Sequence, residues 1–380
     1  MIDEQKWKIP LYKIFTDDED ITQITKILRR GRDWAIGPEI DELENLIKNY
    51  VGTDYCAVLN SGTSALHATL LSYGIGTDDE VIIPSFSFIS TANSIQFVNA
   101  IPKFSEIEDD TFGLDPNLLS SKISRNTKAI MPMDYGGMSC KISEIKNIAK
   151  EHGLFLIEDA AESLGSTVQG KKVGSLSDSA IFSFCGNKVL TTGEGGAVVT
   201  NSKKIYEKIK LISSHGRVDQ KSYFDNPNES SYLGLGYNWR MSSLTAGLGI
   251  SQIKKLDKII KLRQKNAKFL STRLSSIDGL KVPLPPSDFE HIYQMYTIRL
   301  KDKQTRNSLH EFLTKKRIFS KVYFPPIHLS NFYKSKYAYS ENSLPVTERI
   351  SNEVLTLPLY PNMTSEEREF LVESIKEFFE

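Results

Sequence analysis

Short apolar runs alternate with amphipathic stretches through the first two-thirds of this chain, and that alternation limits its fold more than any other feature. Glu80-Val81-Ile82-Ile83-Pro84, Lys128-Ala129-Ile130-Met131-Pro132, Leu154-Phe155-Leu156-Ile157-Glu158, Ala180-Ile181-Phe182-Ser183-Phe184 and Gly196-Ala197-Val198-Val199-Thr200 read as buried strands, each too short for a core helix. Between them, Ser64 to Tyr73, Ile142 to His152 and Lys203 to Ile212 carry helical spacing. The pattern predicts an α/β domain with a mostly parallel sheet between helices.

From about Ser242 the pattern changes to one long helix, with Leu244, Leu248, Ile253, Leu256 and Ile260 on an apolar stripe. Seven basic residues against one acidic lie between Gln252 and Leu270. They read as a solvated helix face, with a patch for a nucleotide diphosphate as the alternative. After Pro283-Leu284-Pro285-Pro286 come a strand at Tyr296 to Leu300 and helices near Arg306 to Lys316 and Ser365 to Phe379. A chain of 380 residues exceeds the usual single core. We therefore expect a large α/β domain over residues 1–245 and a small C-terminal α+β domain over residues 246–380.

Composition excludes several classes of function. The 47 basic and 47 acidic side chains cancel, which removes the electrostatic reason for a nucleic-acid or anionic-membrane partner. Met1 to Trp7 is polar where a secretory signal needs a basic start and an apolar run, and no apolar run is long enough to span a membrane. Cys56, Cys140 and Cys185 are an odd set without metal-ligand spacing. They suit a reducing cytoplasm, and no metal site is expected.

Ligands of such sheets bind at the carboxyl ends of strands, so the residues just after each run are the informative ones. Lys188 follows the Ala180–Phe184 run; a lysine held among apolar walls can lose its proton and form a Schiff base. Asp159 ends another run, 29 residues earlier. A buried carboxylate there needs a cation or hydrogen-bond donors, although taken singly it reads equally well as a helix N-cap. Asn60-Ser61-Gly62-Thr63-Ser64 places hydroxyls and a glycine where a helix begins, a setting that suits phosphate. Ser183 adds another hydroxyl, Phe88 offers a ring to stack on a heterocycle, and Gly234 to Met241 forms a Gly-rich loop. An amine, a carboxylate, a stacking ring and a phosphate cradle on one sheet are what pyridoxal phosphate requires.

Ser61-Gly62-Thr63, Asp159-Ala160-Ala161-Glu162, Phe182-Ser183-Phe184 with Lys188, Gly193-Glu194-Gly195-Gly196, His215-Gly216-Arg217 and Gly236-Tyr237-Asn238-Trp239-Arg240 resemble, in order and spacing, the DegT-type nucleotide-sugar aminotransferases, fold type I pyridoxal-phosphate enzymes. The resemblance implies that Lys188 holds the cofactor as a covalent aldimine and that Asp159 pairs with the ring nitrogen. It implies also that Phe88 stacks on the ring, that Glu162 sits near the ring hydroxyl, and that Gly62, Thr63 and Ser183 bind the phosphate. Asn238 is expected to reach the phosphate of the partner subunit, which implies a homodimer with interface active sites. His215, Arg217 and His328 are expected to line the sugar-nucleotide pocket. This chain departs from many members at Glu162, where they carry Gln, and at Cys185, where they carry an aromatic residue.

The implied reaction moves the amino group of L-glutamate, through pyridoxamine phosphate, to a keto carbon of a nucleotide-linked keto-deoxy sugar for glycan or amino-sugar biosynthesis. C4 is favoured over C3. A pyridoxal-phosphate sugar dehydratase is the in-family alternative, but the resemblance leads one to expect His at position 188 there. A nicotinamide-dependent dehydrogenase needs Gly-x-Gly-x-x-Gly after the first strand, and the Asn60 to Ala65 segment lacks it. A regulator without turnover has no need of Lys188, Asp159 and Glu162 together.

Overall fold

In the computed structural model, which describes residues 7–218 and 231–380, the alternation becomes a sheet between two helical layers. The chain opens with α1 (Asp18–Arg30) and α2 (Pro38–Val51). It then runs through β1 (Tyr55–Leu59), α3 (Gly62–Tyr73), β2 (Glu80–Pro84), α4 (Ile89–Phe97), β3 (Ile101–Ser105), α5 (Pro116–Lys122), β4 (Thr127–Ile130), α6 (Ile142–Glu151) and β5 (Phe155–Asp159). A short hairpin, β6 (Thr167–Val168) and β7 (Lys171–Lys172), precedes β8 (Ser179–Ser183), β9 (Gly196–Thr200) and α7 (Lys203–Ser213).

The seven-stranded sheet has the order β1-β9-β8-β5-β4-β2-β3, and β9 alone runs against its neighbours. Side chains of its strands alternate between two cores. Ala180 and Phe182 of β8 and Ala197 and Val199 of β9 face α2 and α8 (Ser243–Lys254), while Ile181 and Val198 face α3, α4 and α7. Both faces are dry, which is why these strands are continuously apolar in sequence. Phe182 is fully buried, and a side chain of that kind contributes about 1.5–3 kcal/mol by leaving water.

The expected strands are present, each within a residue or two of its expected position. In the large sheet β1 and β3 join the expected strands, and neither they nor the short hairpin β6–β7 correspond to an apolar run expected from the sequence. The single long helix expected from Ser242 is in fact two, α8 and α9 (Leu256–Leu274). At the break Lys255 leaves helical geometry, with φ −110° and ψ 7°. Its ammonium pairs with Asp17 and, at 2.8 Å, with Asp20, while Gln252 donates to the Phe15 carbonyl at 3.0 Å. The N-terminal segment, not a Gly or Pro, thus marks the bend.

Helix α9 joins the two cores: Leu256, Ile259 and Ile260 pack under the large sheet, and Ala267, Leu270 and Leu274 pack in the smaller core. Beyond it lie β10 (Leu280–Lys281), β11 (Phe289–Glu290), β12 (Tyr296–Leu300), α10 (Lys303–Lys315), α11 (Asn331–Tyr337), α12 (Pro345–Glu353), β13 (Val354–Leu357) and α13 (Ser365–Phe379). Strands β10, β12 and β13 form an antiparallel sheet, and β11 joins the β6–β7 hairpin. The proposed division at 245/246 falls inside α8, whose Ala246 and Ile250 belong to the large core, whereas Ile9 packs in the small one.

Candidate active site

Because β9 is antiparallel to β8, the connection between them begins and ends at the carboxyl edge of the sheet, and Lys188 lies on it. The connection is tight: the Phe184 amide donates to the Gly195 carbonyl at 2.8 Å and the Lys188 amide to the Cys185 carbonyl at 2.9 Å. The small domain pins it further, with Gln294 donating to the Asn187 carbonyl at 2.8 Å and Arg263 donating to the carbonyls of Tyr293 and Gln294. The Lys188 side chain is only 13% exposed, and its Nζ stands 3.2 Å from Glu162 Oε1. Glu162 Oε2 accepts from the Gly136 amide at 2.9 Å.

Asp159, the last residue of β5, is buried beside this pair. Thr91 at the start of α4 donates to its Oδ2 at 2.7 Å, and the Ala161 amide donates to Oδ1 at 3.3 Å. Burial pushes its carboxyl above the usual range, against the Thr91 and Ala161 hydrogen bonds and the nearby Lys188 charge. A cation bound at Asp159 would favour the ionised form. Thr91, itself hydrogen-bonded to Ser87 at 2.7 Å, carries no sequence signal for this role and was not anticipated.

The segment expected to cradle phosphate is assembled by close backbone approach. Ser61 caps α3 by accepting from the Ser64 amide at 3.0 Å, which leaves the Gly62 and Thr63 amides in the first turn, where no intrahelical acceptor exists. A Cβ on Gly62 would come within 3.0 Å of the Ser183 side chain, so glycine lets helix and strand end meet. Gly196 is more restricted still: a Cβ there would stand 2.5 Å from the Ser61 carbonyl oxygen and 2.7 Å from the Gly62 nitrogen.

The remaining expected residues fall in three settings. Phe88 is 56% exposed at the N-terminus of α4, as a ring available for stacking must be. Asn238 is exposed on the loop that crosses the end of β1, where Asn60 donates to the Trp239 carbonyl at 2.8 Å. His215 is exposed, whereas Arg217 is buried close to Arg240, whose guanidinium is held below its usual range by burial and by the Arg217 charge. His328 departs from expectation. Its ring is fully enclosed, with Nδ1 2.6 Å from Ser85 Oγ and Nε2 3.2 Å from Glu348 Oε1, so it braces the segment after Phe324.

The arrangement fits pyridoxal phosphate in each part. It provides a nearly buried amine, a carboxylate whose ionisation calls for a cation, an exposed ring, and a helix N-terminus opened by Gly62 and Gly196.

Comparison with known proteins agrees. The sequence profile of the DegT/DnrJ/EryC1/StrS aminotransferase family matches residues 15–376. The chain is 31% identical to a GDP-perosamine synthase of Escherichia coli O157:H7, over 98% of each protein. It superposes with a TM-score of 0.91 on Helicobacter pylori PseC, an aminotransferase involved in the biosynthesis of pseudoaminic acid, at 28% identity over 98% of this chain and 99% of that one. The PLP-form of the sugar aminotransferase Spr1654 from Streptococcus pneumoniae gives a TM-score of 0.90 at 26% identity, over 97% of this chain and 98% of that one. With the profile running across nearly the whole chain and the site geometry in place, this protein belongs to the DegT/DnrJ/EryC1/StrS aminotransferase family and is a pyridoxal-phosphate-dependent aminotransferase.

Proposed function

We propose that this enzyme transfers the amino group of L-glutamate to C4 of a nucleotide-linked keto-deoxy sugar. The observation that carries the reading is the convergence of Lys188, Glu162 and Asp159 at one sheet edge, next to the cradle made by Gly62, Thr63 and Ser183. Pyridoxal phosphate supplies an electron sink for the carbanion that forms when a proton leaves the amino-bearing carbon. Lys188 is the anchor and the proton carrier, Asp159 keeps the ring nitrogen protonated, and Phe88 holds the ring plane. Glu162 faces the Lys188 amine and stays fixed by the Gly136 amide.

Arg240, whose backbone pairs with Leu59 at the end of β1, brings to this edge a cation suited to the carboxylate or diphosphate of a substrate, and Arg217 is buried close to it. The preference for C4 is an analogy drawn from the Glu162 and Gly186-Asn187-Lys188 motifs taken together. A homodimer is supported by the exposed apolar side chains Val218, Tyr232, Leu233 and Leu235, the last 85% exposed, which flank the loop bearing Asn238. Three unpaired cysteines support a cytoplasmic location. Among the described residues no helix is long and apolar enough to cross a membrane.

The test is a panel of UDP-, GDP- and dTDP-linked 4-keto-6-deoxy and 3-keto sugars with 15N-labelled glutamate. The label should appear on C4 of one sugar nucleotide. Label on C3 would overturn the C4 assignment, and label on no sugar would overturn the sugar reading.

A further inference from the structure

Behind the site two carboxyl groups meet with no donor between them. Asp134 follows β4, Glu158 precedes Asp159 on β5, and both side chains are fully buried. Each satisfies one oxygen. Asp134 Oδ1 accepts from the Cys140 amide at 2.8 Å, and Glu158 Oε2 accepts from the Gly174 amide at 3.1 Å and the Ser177 hydroxyl at 2.7 Å. Asp134 Oδ2 and Glu158 Oε1 have no donor, yet the two side chains lie within hydrogen-bonding reach of each other. Two ionised carboxylates held dry in contact repel, and each bare oxygen carries the cost of lost hydration. A single proton placed between them removes both penalties.

We infer that Asp134 and Glu158 form an acid pair that holds one proton, with Asp134 donating to Glu158, and that this bond positions the strand end carrying Asp159 and Glu162. The donor set gives the direction, since Glu158 already accepts a backbone amide and a hydroxyl on its other oxygen, whereas Asp134 accepts the Cys140 amide and only the weak thiol donor of that same residue. Burial and the Glu158 charge push the Asp134 carboxyl well above its usual range, in the same sense. Other ionisable groups act on the pair. The Cys140 thiol is pushed up by burial, Asp134, Glu158 and Glu108, and Lys146 favours the ionised form of Glu158.

The joint reaches the site through the backbone. The Asp134 amide donates to the Asp159 carbonyl at 3.0 Å, the Asp159 amide to the Pro132 carbonyl at 2.9 Å, and Ser163 Oγ to the Asp134 carbonyl at 3.2 Å. Two residues on, the Gly136 amide holds Glu162.

Isotope-edited infrared spectra of the full chain test the inference. A protonated-carboxyl stretch should persist from neutral to mildly alkaline pH and be absent in Asp134→Asn. In the wild type the folded state keeps a proton that the unfolded state releases above a pKa of about 4. Relative to Asp134→Asn, its folded-to-unfolded ratio should therefore fall about tenfold per pH unit of increase, until Asp134 ionises in the folded protein. A spectrum unchanged by Asp134→Asn, or a ratio flat with pH, would overturn the inference. Should that variant not fold, Glu158→Gln reads the same way, because its amide donates to Asp134 and leaves no shared proton. Neither readout needs cofactor or substrate, so failure here is distinct from failure of the aminotransferase reading.

Discussion

Glu162 contacts the Lys188 amine at 3.2 Å with one carboxylate oxygen and the Gly136 amide at 2.9 Å with the other. The amine is thereby fixed over the end of β5 before any ligand arrives, and the loop after β4 is tied to the loop after β8. A residue that spans two loops in this way holds geometry as well as charge.

Replacing Glu162 separates these two contributions. Glu162→Gln keeps an acceptor for the Gly136 amide, so its unfolding free energy in urea should lie within about 1 kcal/mol of wild type. Glu162→Ala strands that buried amide and should cost about 1–3 kcal/mol. Equal stability of the two variants would show that the amide bond contributes nothing.

Asp159 depends on Thr91. Thr91→Val removes the 2.7 Å hydrogen bond to Asp159 Oδ2 and should lower kcat/KM about 2–10-fold, the worth of one such bond. Asp159→Asn removes the charge itself and should lower it about 10²–10³-fold. Steady-state kinetics of the two variants give the order, and a larger loss for Thr91→Val would contradict the roles assigned.

Gly196→Ala should damage the cradle without touching Lys188. The new Cβ would meet the Ser61–Gly62 peptide at 2.5–2.7 Å, and overpacking of this kind costs about 1–3 kcal/mol. Cofactor affinity, followed by fluorescence titration of the apoprotein, should weaken while the 330–380 segment keeps its native proteolytic resistance. Unchanged affinity would remove Gly196 from the phosphate site.

Stability should fall on the acid side through His291. Burial lowers its pKa to about 3, so the folded state holds the ring neutral while the unfolded chain takes up a proton below about 6.5. The stabilisation is complete above that pH and is lost as pH falls toward the folded pKa, at up to ~1.4 kcal/mol per pH unit. His291→Asn, which keeps a side-chain acceptor for the Tyr293 amide that His291 Nδ1 now accepts, should show an acid slope shallower by about one proton in urea melts. An unchanged slope would count against the buried neutral ring.

Much of the sheet is legible because its inner strands are uniformly apolar, and the grouping of Lys188, Glu162 and Asp159 in the candidate site is legible because in such folds strand ends share one edge. Strand β3 is not, since Pro102 and Lys103 interrupt its apolar run, and β1 is passed over although four of its five residues are buried. The break at Lys255 arises from Asp17 and Asp20, far away in sequence. His328 shows another limit: the family resemblance implies a pocket-lining residue, and only the fold reveals Ser85 and Glu348 on its two nitrogens. Pairings such as Thr91 with Asp159, or Asp134 with Glu158, depend on which strands become neighbours.

The central claim is that Lys188 carries both the cofactor and the proton in amino transfer. The most direct test is the absorbance cycle of the purified holoenzyme. L-glutamate should bleach the visible band of the bound cofactor and a nucleotide-linked keto sugar should restore it. In Lys188→Ala the lysine-linked band should be missing, and turnover should fall at least about 10²–10⁴-fold. A Lys188→Ala enzyme that still cycles at the wild-type rate would contradict the account.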